Sequence, residues 1–199
     1  MKIIVVGATG TIGSAVVENL SKRHEVIKVG KSSGDIQVDI TNSEGIRTFF
    51  QKLGPFDALV SATGDVKFAP FEAMDAAAYQ IGLQSKLMGQ VNLVLIGRQF
   101  ISPSGSFTLT SGILSHDPIK FGSSASMVNG AIDAFVRAAA VEISPGIRIN
   151  AVSPTVLLES MPSYEPYFRG FEPVAASRVA LAYSKSVEGQ QTGQIYQVS

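Results

Sequence analysis

The stretch from Lys2 to Gly13, KIIVVGATGTIG, constrains the fold more than any other. Ile3 to Val6 is an unbroken β-branched run, the pattern of a strand buried on both faces of a parallel sheet. Glycines stand at 7, 10 and 13, and beyond them Ala15, Val16 and Leu20 fall at helical spacing with Glu18, Asn19 and Lys22 between them. A strand, a glycine turn and a helix start in that order expose backbone N–H groups at the positive end of a helix dipole. The anion such a turn accepts is a dinucleotide pyrophosphate. A purely structural turn would also favour glycine, so it is the flanking strand and helix that favour the nucleotide.

Bulk properties narrow the classes further. A chain of 199 residues fits one domain, residues 1–199, able to bury roughly 70% of the surface its unfolded form exposes. Sixteen basic and sixteen acidic residues cancel, which gives no support for nucleic acid as a partner. There is no cysteine, so disulfides, thiolate catalysis and sulfur-ligated metals are excluded and a reducing compartment is compatible. The two histidines, His24 and His116, are too few for a histidine-rich metal site. Lys2 ahead of an apolar run resembles a short signal peptide, but the run breaks at Gly7 and enters a turn motif. Apolar stretches elsewhere, such as Val94 to Gly97, fall far short of the ~20 residues that span a bilayer. The expectation is a cytoplasmic protein without membrane contact.

Along the chain, Glu25 to Gly30 is a second short strand ending in Lys31-Ser32-Ser33-Gly34. An acidic residue at this strand end would bind the adenosine ribose and select NAD. A cation and two hydroxyls stand there instead, a site for the 2′-phosphate of NADP; an ordinary solvated loop is the alternative. Ile36 to Ile40 reads as a third strand, Asn42 to Leu53 as a helix stopped by Gly54-Pro55, and Asp57 to Gly64 as a fourth strand running into a small-residue turn. Phe71 to Phe100 is helical, as one amphipathic helix or two. A fifth strand over Gly105 to Ser111, an alanine-rich helix over Ser123 to Ile143 and a sixth strand from Ile147 to Val152 follow, the last ending at Ser153-Pro154-Thr155. A segment with proline and tyrosine, Met161 to Pro173, leads to a last helix near Val174 to Val187 and a closing strand within Thr192 to Val198. This alternation, with no repeat or linker, predicts one doubly wound, Rossmann-like α/β parallel sheet.

Several motifs in order resemble the short-chain dehydrogenase/reductase family over nearly the whole chain. They are Gly7-Ala-Thr-Gly-Thr-Ile-Gly13, Asp39-Ile40, Ser61-Ala-Thr-Gly64 where the family has Asn-Asn-Ala-Gly, Gly146 to Pro154, and Thr192-Gly-Gln-Ile-Tyr196. The resemblance implies about seven strands in the order 3-2-1-4-5-6-7. It implies that Thr9, Thr11 and Ile12 lie along the pyrophosphate, that Asp39 and Ile40 touch the adenine, and that Pro154, Thr155 and Val156 border the nicotinamide. The cofactor it implies, read with Lys31, is NADP, and the reaction is hydride transfer with a small carbonyl or alcohol.

The family's Ser, Tyr and Lys do not follow. Aligning on Arg137 and Ala140-Val-Glu142 puts Ala125 at the tyrosine position and Asn129 at the lysine position; the serine position falls on Gly112, or on Ser111 with a slip of one. Where the family has asparagine in Asn-Leu-x-Gly, this chain reads Lys86-Leu-Met-Gly89. Lysine and asparagine have thus exchanged helices, and the candidate catalytic set is Lys86, Asn129 and Ser111. Lys86 would hold the ribose or donate a proton, with Asn129 orienting it; burial would favour the neutral amine. The structural alternative places Lys86 in solvent and uses Asn129-Gly130 for helix packing.

His116, on a loop after the fifth strand, is expected to be exposed rather than an acid or base. Tyr164 and Tyr167 are expected to pack over the pocket rather than to supply a phenol. Asp65 and Lys67 read as a solvated loop. The helix from Ser85 to Arg98 is apolar enough for a homo-oligomer face, as in the family. The main rival to an enzyme is a non-catalytic NADP(H)-binding sensor or regulatory protein of the same fold.

Overall fold

A computed structural model describes the whole chain, Met1 to Ser199. The strands are β1 (Lys2–Val6), β2 (Glu25–Gly30), β3 (Ile36–Gln37), β4 (Phe56–Ser61), β5 (Ile101–Thr110), β6 (Arg148–Pro154) and β7 (Ile195–Val198). All pair in parallel, in the order β3-β2-β1-β4-β5-β6-β7, as expected. The order reverses at β1, so a crevice opens between the C-terminal ends of β1 and β4, where doubly wound sheets bind ligands.

Helices cover both faces: α1 (Thr11–Leu20) and α7 (Ala176–Glu188) on one, α2 (Ser43–Leu53), α4 (Gln90–Gly97) and α5 (Ser123–Glu142) on the other. The β-branched run of β1 alternates between them. Ile3 and Val5 pack with Val16, Leu20 and Tyr183, while Ile4 and Val6 join Phe50, Phe56, Leu93 and Phe107. Phe50 lies between the rings of Phe56 and Phe100, with centroids 5.4 and 5.7 Å away.

Several expected boundaries move. The third strand stops at Gln37 rather than Ile40, because Asp39 turns the chain by accepting hydrogen bonds from the Thr41 N–H and hydroxyl. Regular helix begins at Ala76 rather than Phe71: Phe71–Ala73 is a single 3-10 turn, and Asp75 caps α3 (Ala76–Gly82) by accepting from the Ala78 N–H. The fifth strand begins at Ile101, four residues early, and an irregularity opposite Phe56 and Ala58 delays regular pairing until Ser106. The sixth strand runs on through Pro154, whereas the seventh begins only at Ile195. A short helix, α6 (Met161–Tyr164), lies in the segment before α7. No helix is long and apolar enough to cross a membrane.

The question of one helix or two has a third answer. Helix α3 continues without a break through a π-helical stretch, Leu83–Gly89, into α4. Such widened turns inside helices are frequent at functional sites, and this one carries Lys86.

Candidate active site

The opening turn has no space for side chains. A Cβ on Gly13 would fall far inside van der Waals contact with the Gly7 carbonyl oxygen, and one on Gly7 would meet the Ala62 carbonyl. Gly7 also takes φ +82°, the left-handed region that glycine tolerates. The first intrahelical bond of α1 runs from the Ser14 N–H to the Gly10 carbonyl, and no side chain caps the helix. The amides of Thr11, Ile12 and Gly13 are therefore left without helical acceptors at the mouth of the crevice. This chemistry fits a pyrophosphate.

Beside the turn lies a polar cleft lined by Gly7, Gly30, Lys31, Asp39, Ile40 and Thr63, together with Asp65 and Ser85. Asp65 is exposed, in keeping with a solvated loop, and also borders this cleft, its N–H donating to the Ser85 hydroxyl at 2.9 Å. Ile40 packs against Gly89, where a Cβ would come within 2.6 Å of its Cδ1, so the loop after the third strand rests on the π-helical stretch. Lys31 forms an ion pair with Asp39 at 3.0 Å. The Asp39 carboxyl is held down at about 2 by the Thr41 N–H and hydroxyl, with Lys31 contributing less. Ser32 and Ser33 are exposed, and Ser33 shares a 3.1 Å hydrogen bond with the Thr9 hydroxyl.

A second cleft opens at the ends of β4, β5 and β6. Ile12, Lys86, Ser111, Gly112, Ala125, Asn129, Pro154, Thr155 and Val156 all line it. The turn after β4, with Ser61, Ala62 and Thr63, ends at Gly64 (φ +121°), where a Cβ would lie 2.5 Å from the Lys86 Cα. That close approach seats the π-helical stretch against the turn. Lys86 Nζ donates to the Ser111 carbonyl at 3.1 Å, and Asn129 Nδ2 donates to the neighbouring Gly112 carbonyl at 3.4 Å. Two adjacent carbonyls at the end of β5 thus hold the side chains from two helices.

Burial lowers the Lys86 ammonium to about 8, opposed by the negative charge of Asp133 on α5. The Ser111 hydroxyl, Asn129 Oδ1 and the Thr155 hydroxyl are buried without hydrogen-bond partners. These three atoms line the cleft, where a polar ligand or water can supply the missing partner.

Apart from its place four residues after Lys86, nothing in the sequence alone singles out Gln90. It is fully buried. Its Oε1 accepts from the Thr110 N–H, and its Nε2 donates to the carbonyls of Thr110 and Lys86, all at 2.9 Å. This side chain ties the π-helical stretch to the strand end that holds the Lys86 amine. Gln90→Leu would leave those backbone groups unpaired, and urea unfolding should show a loss of about 3 kcal/mol.

His116 is exposed, with Nδ1 3.3 Å from the Ser115 hydroxyl. Tyr164 and Tyr167 pack on aromatic rings, against Phe68 and Phe121 respectively. No cluster of His, Asp or Glu is suited to hold a metal ion.

Comparison with known proteins agrees with this architecture. The family model described as enoyl-(acyl carrier protein) reductase matches residues 5–196. The crystal structure of the protein lin1944 from Listeria innocua is 52% identical, with all of both chains covered and a TM-score of 0.98. A small-chain dehydrogenase solved in complex with NADPH is 24% identical over 100% of this chain and 96% of its own, with a TM-score of 0.87. L-xylulose reductase of Homo sapiens is 25% identical over 178 residues, 80% of this chain and 73% of that protein.

Proposed function

The chain belongs to the short-chain dehydrogenase/reductase family, and on that footing we propose that it is an NADP(H)-dependent oxidoreductase interconverting a small carbonyl compound and its alcohol through a non-standard site. The observation that carries this reading is the Lys86 ammonium, lowered to about 8 and held at 3.1 Å by the Ser111 carbonyl in a cleft continuous with the nucleotide turn. The amides of Thr11, Ile12 and Gly13 hold the pyrophosphate, Asp39 and Ile40 border the adenosine, and Pro154, Thr155 and Val156 border the nicotinamide. When bound, the reduced cofactor supplies a hydride to the carbonyl carbon.

Lys86 donates a proton to the carbonyl oxygen and is left as a neutral amine, which regains its proton from water in the cleft. A group with a pKa near the working pH suits this exchange. The Ser111 carbonyl keeps the ammonium in the cleft, while the unpaired Asn129 Oδ1 and Ser111 hydroxyl, lining the same cleft, are available to the substrate's polar atoms. Lys31, with Ser32 and Ser33, binds the 2′-phosphate by exchanging its Asp39 partner for phosphate oxygens. A charge-assisted hydrogen bond of about 1.5–3 kcal/mol means that Lys31→Ala should weaken NADP about ten- to hundredfold and NAD little. Calorimetric titration of both nucleotides checks this.

The exposed Leu95, beside Arg98, Phe135 and Ile143 in an open groove, supports a homo-oligomer through the helix spanning residues 85–98. NADPH oxidation with a panel of small ketones and aldehydes tests the enzymatic reading: turnover supports it. Tight NADPH binding with no oxidation favours the second reading, a nucleotide-binding sensor. The observation behind that second reading is Ala125, packed with Leu114, Val156 and Phe168 where the family's phenol would stand.

A further inference from the structure

We propose that the carbonyl substrate carries an aromatic or comparably bulky apolar body, seated in a side cleft between the loop after β4 and the segment around α6. This deepens the oxidoreductase reading above and rests on it. The side cleft, of about 220 Å3, is walled by Phe68, Pro70, Ile119, Phe121, Tyr164 and Tyr167. A dry apolar cavity of about 150 Å3 accepts benzene, so one ring fits.

Phe68 lines both this cleft and the one containing Lys86. The two are also joined through Phe168, in the wall of the Lys86 cleft, whose ring meets Tyr164 edge-on at 6.3 Å. A ligand with its carbonyl at Lys86 therefore has an apolar path leading away from the reacting atoms.

The walls are built rather than incidental. Phe68 meets Tyr164 at 6.1 Å and Phe121 meets Tyr167 at 5.8 Å, both edge to face, while the Ala69 N–H donates to the Phe121 carbonyl and ties the two sides together. Phe121 is the one non-glycine residue with positive φ, +66°. A bulky residue rarely occupies that region, and such residues cluster at ligand clamps.

All four of these rings keep more than a third of their surface exposed: Phe68 37%, Phe121 38%, Tyr164 38% and Tyr167 43%. They offer a ligand apolar area not already used by the core. The lining contains no carboxylate and no side-chain amide, and its single charged residue, Lys120, is exposed at the rim. The only side-chain hydroxyls in the lining are the Tyr164 and Tyr167 phenols, too few for a polyhydroxylated sugar, most of whose hydroxyls would go unpaired, whereas a phenyl substituent gains by burial.

The experiment compares 4-phenylbutan-2-one, butan-2-one and L-xylulose as substrates with saturating NADPH, in wild type and in Phe68→Ala and Tyr164→Ala. The expected kcat/KM for the phenyl ketone exceeds that for either other compound at least tenfold. Each variant should lower the ratio of phenyl ketone to butanone about tenfold, mainly through KM. Preference for the sugar, or an unchanged ratio in both variants, would overturn the proposal.

If wild type reduces none of the three, the oxidoreductase reading fails, and binding of 4-phenylbutan-2-ol to the NADP-loaded protein decides the cleft separately. Saturable binding that is weakened in Phe68→Ala upholds an aromatic site, and no binding overturns it.

Discussion

Lys86→Met is expected to lower kcat/KM for carbonyl reduction by about 10²–10⁴-fold, the usual contribution of a positioned general acid, while leaving NADPH binding measurable. Reduction needs the ammonium, so in wild type its rate should fall as pH rises through about 8; alcohol oxidation needs the free amine and should rise through the same value. Both pH dependences should vanish in the variant. A side chain that served only to pack would not carry that signature.

The same group ties stability to pH. Its pKa is about 8 when folded and about 10.5 when unfolded, so between these values the unfolded chain holds more protons and wild-type stability rises with pH. Below about 8 both states are protonated and the cost of burying the charge is fully present; above 10.5 it is gone. A shift of this size corresponds to about 3 kcal/mol. Lys86 is partly exposed along the open cleft, where water relieves some of that cost, so a slope worth about 1–2 kcal/mol is expected. Lys86→Met should lack it in urea melts across the window. Stability given up at a site in return for reactivity is a common trade.

The second large effect concerns the opening turn. Gly13→Ala places a methyl group inside van der Waals contact with the Gly7 carbonyl oxygen, and the obstacle is backbone that cannot rotate away. The turn must open, which costs roughly 2–3 kcal/mol of overpacking strain and disperses the amides of Thr11, Ile12 and Gly13. Nucleotide binding should disappear in calorimetry. Gly10→Ala is the matched control, since its Cβ meets the same carbonyl at 3.4 Å, an ordinary contact. It should fold at near wild-type stability, so affinity lost there reports steric approach of the pyrophosphate alone.

The first strand, the glycine turn and the helix after it are legible from local patterns, a β-branched run, three spaced glycines and helical spacing, whereas the strand order follows from the family resemblance. The π-helical stretch is not legible, since a widened turn leaves the apolar spacing from Leu83 to Leu95 readable either as one helix or as two. Gln90 escaped notice for a related reason, because its partners, the carbonyl and N–H of Thr110, lie 20 residues away and come together only in the sheet. Apolar Val38 and Ile40 extend the strand pattern beyond Gln37, and both are buried, yet the hydrogen bonds to Asp39 take the backbone out of the ladder. The pairing of Lys31 with Asp39 is not legible in the sequence, because it depends on the chain doubling back at the end of the third strand.

Nucleotide capture by the opening turn is decided by titrating the wild-type protein with NADPH in a calorimeter. Saturable heat at one nucleotide per chain is expected. At 100 times Kd the nucleotide should add about 2.7 kcal/mol of stability, seen as a rise in Tm of about 5–10 °C for a chain of this size. No heat with NADPH or NADH, together with an unchanged Tm, would contradict nucleotide capture.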